Sequence, residues 1–394
     1  MIEFLTRERL RLRASGKWVD FAEDILPSNP AEMDFAIAPV IMNALQSTLD
    51  NQKFGYASHG DGGPEARLKA AFKQRMKDRF DWEIDTATTL PVSNLVQAVA
   101  ASIWAFSEEG DKVALQVPAY PMFHAAIAQT RRTAVCNVMP VVDGRYELDV
   151  EALVRQIDEG VKILLLCHPH NPTGRVFSKE ELEPVARLAK AHGLTIISDE
   201  IHSDILFDGL SHVPFAKMFP DLSDRTITLY SASKTFNIPG LACAVMHFGS
   251  DRLQAEFEQK VPAMLLGHPG ITGLVATTAA WEEGDSWARE NLAVLQSNRD
   301  HFVERFWKEM PEVGLCKPQA TYLAWADFSA FTISGSPFEF LRDKGRVMGG
   351  NGANFGKGYE QFVRFNYATS PEILDEKIDR IFRALKSNSN DLPN

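Results

Sequence analysis

Cysteine is scarce. The 394 residues hold 4, at Cys136, Cys167, Cys243 and Cys316, and no two stand at CxxC or metal-ligand spacing. That excludes a disulfide-stapled framework and a thiolate zinc site. Each cysteine has apolar neighbours, so four core thiols in a reducing, cytoplasmic setting are expected. Positive charge is also short, 41 Lys and Arg against 52 Asp and Glu for a net charge of -11, which argues against a nucleic-acid-binding face. No apolar run approaches a membrane span, and MIEFLTRERLRLRASG lacks the apolar block of a secretory leader; its arginines suit an amphipathic helix or arm. Repeats and low-complexity linkers are missing too, and only the end SNSNDLPN is expected to fray. What is present is a 45% hydrophobic chain, enough for a large core in two or three domains, or in one α/β unit with an appendage.

Between about residues 90 and 250, short β-rich runs alternate with helical segments. KVALQV, KILLLC, LTIIS and TITLY read as strands. In SKEELEPVARLAKAHG, Ser178 can cap a helix with Glu181 three residues on, and Gly193 can close it. Strand–helix–strand of this kind predicts a mainly parallel sheet covered on both faces, with ligands at the carboxyl ends of its strands. After about residue 285 the pattern changes to a long amphipathic helix, SWARENLAVLQSNRDHFVERFWKEM, then TYLAWADF and FVRFNYA as strands with one covered face, and a final helix PEILDEKIDRIFRALK. The expected division is an arm over 1–45, a large α/β domain over 46–285 and a smaller α+β domain over 286–394.

Four strands end on chemistry. KILLLC runs into HPHNPTG with Asn171, LTIIS into Asp199, TITLY into SASK with Ser231, Ser233 and Lys234, and KVALQV into PAYPMF with Tyr120. An aspartate ending a buried strand is costly unless it meets a cation. A plain Asp199–Lys234 ion pair would meet that cost without any function. The added asparagine, aromatic ring and hydroxyls at the same edge suit instead a flat, phosphorylated, cationic heteroaromatic ring.

HNPTG, SDE and SASK, in this order and spacing, resemble fold-type I pyridoxal-phosphate (PLP) enzymes of the class I/II aminotransferase superfamily. EMDFAIAPVI, FGYASHG, DEIHSDILF, HVPF, SASKTFNIPGL and TYLAWADF resemble its cystathionine β-lyase-like branch of C–S lyases. The resemblance implies a seven-stranded, mainly parallel large-domain sheet and a homodimer. It implies that Lys234 carries the cofactor, Asp199 pairs with its ring nitrogen, Asn171 meets its phenolic oxygen, Tyr120 stacks on its face and His202 lies near that phenolic edge, although His202 also suits a structural role. Phosphate donors would be the start of the helix at Ser93, Asn94 and Leu95, the hydroxyls of Ser231 and Ser233, and Tyr56 reaching over from the neighbouring subunit. An ordinary buried aromatic is the other reading of Tyr56. Arg364 in FVRFNYA matches the arginine that grips an α-carboxylate, for which a planar fork is suited; a solvated edge-strand arginine is the plain alternative.

Two departures stand out. Many relatives carry a basic phosphate-binding residue eight positions after the lysine, where this chain has Ala242. Relatives also show a tryptophan-containing stretch before MDF, where this chain has Ser28, Asn29 and Pro30, a segment bordering the substrate pocket. GGNGANFGKG is glycine-rich but does not join a strand to a helix, so a flap over the site mouth is expected rather than a nucleotide loop. The resemblance implies C–S β-elimination from an S-substituted cysteine. Transamination would use the same residues, and the Asn29 departure admits decarboxylation-coupled oxidative deamination of a cysteine S-conjugate, as in lincosamide-antibiotic pathways. A regulatory protein retaining the fold is disfavoured by the intact Lys234, Asp199, Asn171 and Tyr120 set, and because the MDF segment begins too early to leave room for a DNA-binding module.

Overall fold

The computed structural model describes residues 2–58, 60–158 and 160–390. Strands β1 (Thr89–Val92), β2 (Lys112–Val117), β3 (Thr133–Val138), β4 (Val161–Cys167), β5 (Thr195–Asp199), β6 (Thr226–Tyr230) and β7 (Ala244–Phe248) form a seven-stranded sheet in the order β1-β7-β6-β5-β4-β2-β3. Strands β2 to β6 run parallel, and β7 lies antiparallel between β6 and β1. This is the fold-type I arrangement expected from the motifs. All five residues of β6 are buried, Thr226 and Thr228 on one face as well as Ile227 and Leu229 on the other, so both faces of the strand are covered.

Helix α1 (Pro64–Phe80) packs behind the sheet, and helix α2 (Leu95–Phe106) follows β1 directly. Helix α3 (Lys179–His192) joins β4 to β5. Its start is a full capping box: Ser178 Oγ accepts from the Glu181 N–H at 3.3 Å, and Glu181 Oε2 accepts from the Ser178 N–H at 2.8 Å. Gly193 closes it at φ 65°. Such a cap contributes about 1 kcal/mol and fixes where the chain turns back toward the sheet.

The sheet register delivers the functional strand ends together. Cys167 pairs with Asp199, Asp199 with Leu229, and Tyr230 with Val245, so β4, β5 and β6 stop level with the start of β7. In the HNPTG turn, Gly174 sits at φ 70°, where a Cβ would meet Pro318 Cβ at 2.6 Å and the Ala320 carbonyl at 2.9 Å. Only glycine lets that loop touch the C-terminal part of the chain so closely.

A second core gathers around helix α4 (Asp285–Glu309), helix α5 (Pro371–Asn390) and a four-stranded sheet of β8 (Gly314–Leu315), β9 (Leu323–Asp327), β10 (Gly350–Asn351) and β11 (Phe362–Asn366). Ile2, Met33 and Phe35 belong to it. Several expectations need correction. TYLAWADF and FVRFNYA have both faces covered, since Arg364 and Asn366 are as buried as Val363 and Phe365. The polar face meets the N-terminal segment and the active-site cavity instead of water. The glycine-rich GGNGANFGKG is not a free flap: it supplies β10, and Phe355 is buried against Trp325. Cys136 is exposed and Cys316 half-buried, so only Cys167 and Cys243 are core thiols. In the C-terminal tail, residues 387–390 continue α5, and 391–394 lie outside the described residues. Among the described residues no helix is long and apolar enough to cross a membrane.

Where the N-terminal segment meets α5, Lys17 Nζ lies 2.8 Å from Asp34 Oδ1 with both side chains buried. Lys377 is buried beside them, and its Nζ has no hydrogen-bond partner among the described residues. Burial and the neighbouring Lys17 pull its pKa down to about 7, against the opposing pull of Asp34. A lysine with a lowered folded-state pKa penalises folding fully below that value, and the penalty is relieved as pH rises toward the unfolded pKa. Lys377→Met is therefore expected to stabilise the protein by about 5 kcal/mol at pH 6 and by much less near pH 10. Urea melts at the two pH values check this; equal stabilisation at both would refute it.

Candidate active site

The strand ends surround a cavity of about 310 Å³. It is lined by eleven of the residues singled out from sequence: Ser93, Asn94, Leu95, Tyr120, Asn171, Asp199, His202, Ser231, Ser233, Lys234 and Arg364. Two others lie elsewhere. Asn29 stands behind Arg364, whose Nη2 donates to Asn29 Oδ1 at 2.7 Å. Tyr56 is fully exposed and far from being a buried aromatic, so within one chain it takes no part in the cavity.

One end of the cavity is built for an anion. Asn94 caps α2, its Oδ1 accepting from the Gln97 N–H at 2.9 Å. The N–H groups of Leu95 and Val96, both lining the cavity, have no acceptor within the helix and lie at its positive end. Ser231 Oγ donates to the Cys243 carbonyl at 2.8 Å and accepts from the Ser233 N–H at 3.1 Å, which secures the turn leading to Lys234. Ala242 also lines the cavity, in a left-handed conformation, φ 48°.

Lys234 is half-buried, and its Nζ donates to the Ala31 carbonyl at 2.9 Å. Burial, together with the Arg364 charge, lowers its pKa to about 8 despite Glu32 and Asp199. Asp199 Oδ1 accepts from the Ile201 N–H at 3.1 Å. Burial, aided by Glu200, raises its carboxyl to about 6, against the Ile201 hydrogen bond and Lys234. The plain Asp–Lys ion pair is not formed: among the described residues Asp199 has no salt-bridge partner, and Lys234 is satisfied by a carbonyl. Burial and the two cations pull the His202 pKa down to about 3 and hold it neutral, and its Nδ1 has no partner among the described residues.

Arg364 lines the same cavity. Its Nη1 donates to Asn171 Oδ1 at 3.0 Å, and its guanidinium lies over the Phe355 ring at 5.0 Å. Its Nε has no partner among the described residues. Among the described residues no carboxylate compensates the charge, and burial draws its pKa down to about 10. A desolvated cation without a counterion is an anion site in waiting.

The residues present fit PLP. An amine, a cation-seeking acid, a carboxamide, a half-buried phenol ring and an anion-binding helix start face one cavity, and the orphaned polar atoms of His202 and Arg364 border it. Sequence reasoning missed some contributors. Tyr322 donates its hydroxyl to the same Ala31 carbonyl at 2.9 Å, and Phe355 supports Arg364. Tyr322 gave a signal, since it opens the strand-like TYLAWADF; Phe355, inside a glycine-rich loop, gave none. Cys167 and Cys243 also line the cavity. Burial raises both thiols, Cys243 to about 11, so they stay protonated there.

This geometry has relatives. The chain is 33% identical to cystathionine β-lyase PatB of Bacillus subtilis strain 168 over 98% of this chain and 100% of that one. It resembles the crystal structure of a PLP-bound C–S lyase from Staphylococcus hominis, with a TM-score of 0.91, 28% identity and 98% of both chains covered. Cystalysin from Treponema denticola, crystallised with pyridoxal 5'-phosphate, matches with a TM-score of 0.91, 29% identity, and coverage of 98% of this chain and 99% of that one. A family model described as aminotransferase class I and II matches residues 27–381, and with strand order, site and relatives agreeing, the chain belongs to that family.

Proposed function

We propose that the protein is a PLP-dependent lyase that eliminates a thiol from an S-substituted L-cysteine, giving the thiol, pyruvate and ammonia with uptake of one water. The observation that carries this reading is the pairing of Lys234, an amine with a pKa near 8, with an uncompensated buried guanidinium across one cavity of about 310 Å³. The names of the relatives support the same activity.

When bound, the cofactor links covalently to an amine and draws off the electron pair released at the substrate's Cα. Lys234 would hold it through Nζ, Asp199 its ring nitrogen, Asn171 and Tyr120 its ring, and the start of α2 with Ser231 and Ser233 its phosphate. The chain's own contribution follows from its charges. Arg364 binds the α-carboxylate as a planar fork, fixing which Cα bond faces Lys234. The Lys234 amine would take the Cα proton, and because its pKa is lowered from the ordinary lysine value to about 8, its free-base share is already appreciable at neutral pH and grows at mildly alkaline pH. The same amine, or water, then delivers a proton to the departing sulfur. The apolar walls exclude bulk water and keep the exchange local.

The homodimer implied by the family belongs to this proposal: Tyr56 projects fully exposed beside exposed Phe54, and Met264 and Leu265 stand exposed as well, which supports a partner covering them. Incubation with an S-alkyl cysteine and no keto acid tests the reaction. Pyruvate and free thiol in equal amounts are expected. Turnover only after adding a keto acid would mean transamination instead, and carbon dioxide release with oxygen uptake would mean oxidative decarboxylation.

A further inference from the structure

We propose that Asn29 is a positioning residue for the carboxylate fork: its neutral carboxamide fixes the plane of Arg364 without neutralising the charge, and so keeps that charge for the substrate. This rests on the carboxylate-binding reading of Arg364 given above.

The geometry is specific. Arg364 Nη2 donates to Asn29 Oδ1 at 2.7 Å while Nη1 donates to Asn171 Oδ1 at 3.0 Å. A side-chain carbonyl therefore holds each arm of the fork, and Phe355 supports its face. Asn29 is itself held by the strand that carries Arg364. Two residues along β11, Asn366 Nδ2 donates to the Pro30 carbonyl at 2.8 Å, and Ser28 Oγ donates to the Asn366 carbonyl at 2.9 Å. The residues on both sides of Asn29 are thus tied to Asn366. Gly350 leaves the room: a Cβ there would stand 3.2 Å from Asn29 Oδ1 and 3.3 Å from Arg364 Cβ.

The choice of amide over acid matters physically. A carboxylate at this position would sit at ion-pair distance from a buried guanidinium, where a charge-assisted bond is roughly twice as strong as a neutral one. It would satisfy Arg364 internally and compete with the incoming carboxylate. An amide gives orientation alone. Removal of the amide leaves the charge but frees one arm of the fork, so binding weakens less than when a rival charge is introduced.

The test uses the PLP-loaded protein, with Asn29→Ala, Asn29→Asp and Arg364→Ala compared with wild type. Two readouts are taken: KM and kcat for an S-alkyl cysteine, and the dissociation constant of 3-(methylthio)propanoate, a carboxylate without an amine, from thermal shifts. Asn29→Ala is expected to raise KM and weaken the carboxylate about 10-fold, and Asn29→Asp about 100-fold, with kcat and cofactor absorbance near wild type. A merely structural role would instead lower kcat, disturb the absorbance, or affect both variants alike. Should Asn29→Asp match wild type while Arg364→Ala is impaired, the positioning role of Asn29 is overturned and the carboxylate reading stands. Should Arg364→Ala also match wild type, both are overturned.

Discussion

Lys234→Ala is expected to lower kcat by about 10⁴-fold or more and to remove the visible absorbance of the covalently held cofactor. The effect is large because one side chain would do two jobs. On the function proposed above, its ε-amine would carry the cofactor and, once released, would be the base nearest Cα. Nothing else described in the cavity can replace it: His202 is held neutral near 3, and Cys167 and Cys243 are kept as thiols by burial. Tyr120 is also pushed up by burial and stays protonated. Lys234→Arg separates the two jobs from simple charge, because a guanidinium retains the positive charge but neither links to a carbonyl nor accepts a proton near neutrality. Both variants are expected to be inactive and to lose the absorbance band. The fold should survive, since the loop is held independently: Asn237 Oδ1 accepts from the Met33 N–H and its Nδ2 donates to the Met33 carbonyl, each at 2.8 Å. Thr235 adds a bond to Asp204 at 3.1 Å. A Lys234→Ala protein that keeps even a hundredth of wild-type turnover would remove Lys234 from the chemistry.

How much of this was legible in the sequence depended on the range of each interaction. Strand positions came through well because β4, β5 and β6 are buried over most of their length and so are rich in β-branched and apolar residues. Ser178, Glu181 and Gly193 were legible because capping is a local interaction within one turn. The set of Asn171, Asp199 and Lys234 was legible because parallel neighbours in register must end side by side. Long-range contacts between segments were not. The alternation in FVRFNYA suggested one wet face, yet Arg364 and Asn366 are buried because the N-terminal segment, more than 330 positions away, lies over them. Asn29 could be flagged as unusual, but its hydrogen bond to Arg364 could not be read from spacing. Cys136 looked like a core residue among apolar neighbours, but β3 is the edge strand of the sheet and leaves it exposed.

Asp199→Asn should separate stability from function. As an isosteric neutral group, asparagine cannot hold the proton on a ring nitrogen, so kcat is expected to fall about 10³-fold with little change in KM. In the cofactor-free protein the consequence runs the other way. Burial raises the Asp199 carboxyl from 3.8 to about 6, because Ile201 and the more distant Lys234 only partly offset the desolvation. A carboxyl with a raised folded-state pKa binds its proton more tightly in the native state, so the native state loses stability as pH rises from about 4 through 6. Above that window the cost amounts to about 3 kcal/mol. Cofactor-free Asp199→Asn is therefore expected to be more stable than cofactor-free wild type at pH 8 and nearly equal to it at pH 4, as read by urea melts at both values. With the cofactor bound, a protonated ring nitrogen would give the carboxylate its missing cation, and the wild type should recover the difference while the variant gains nothing. Equal stability of the two cofactor-free proteins at pH 8 would mean that Asp199 already has its partner within the chain, and the acid would then not be reserved for the ring.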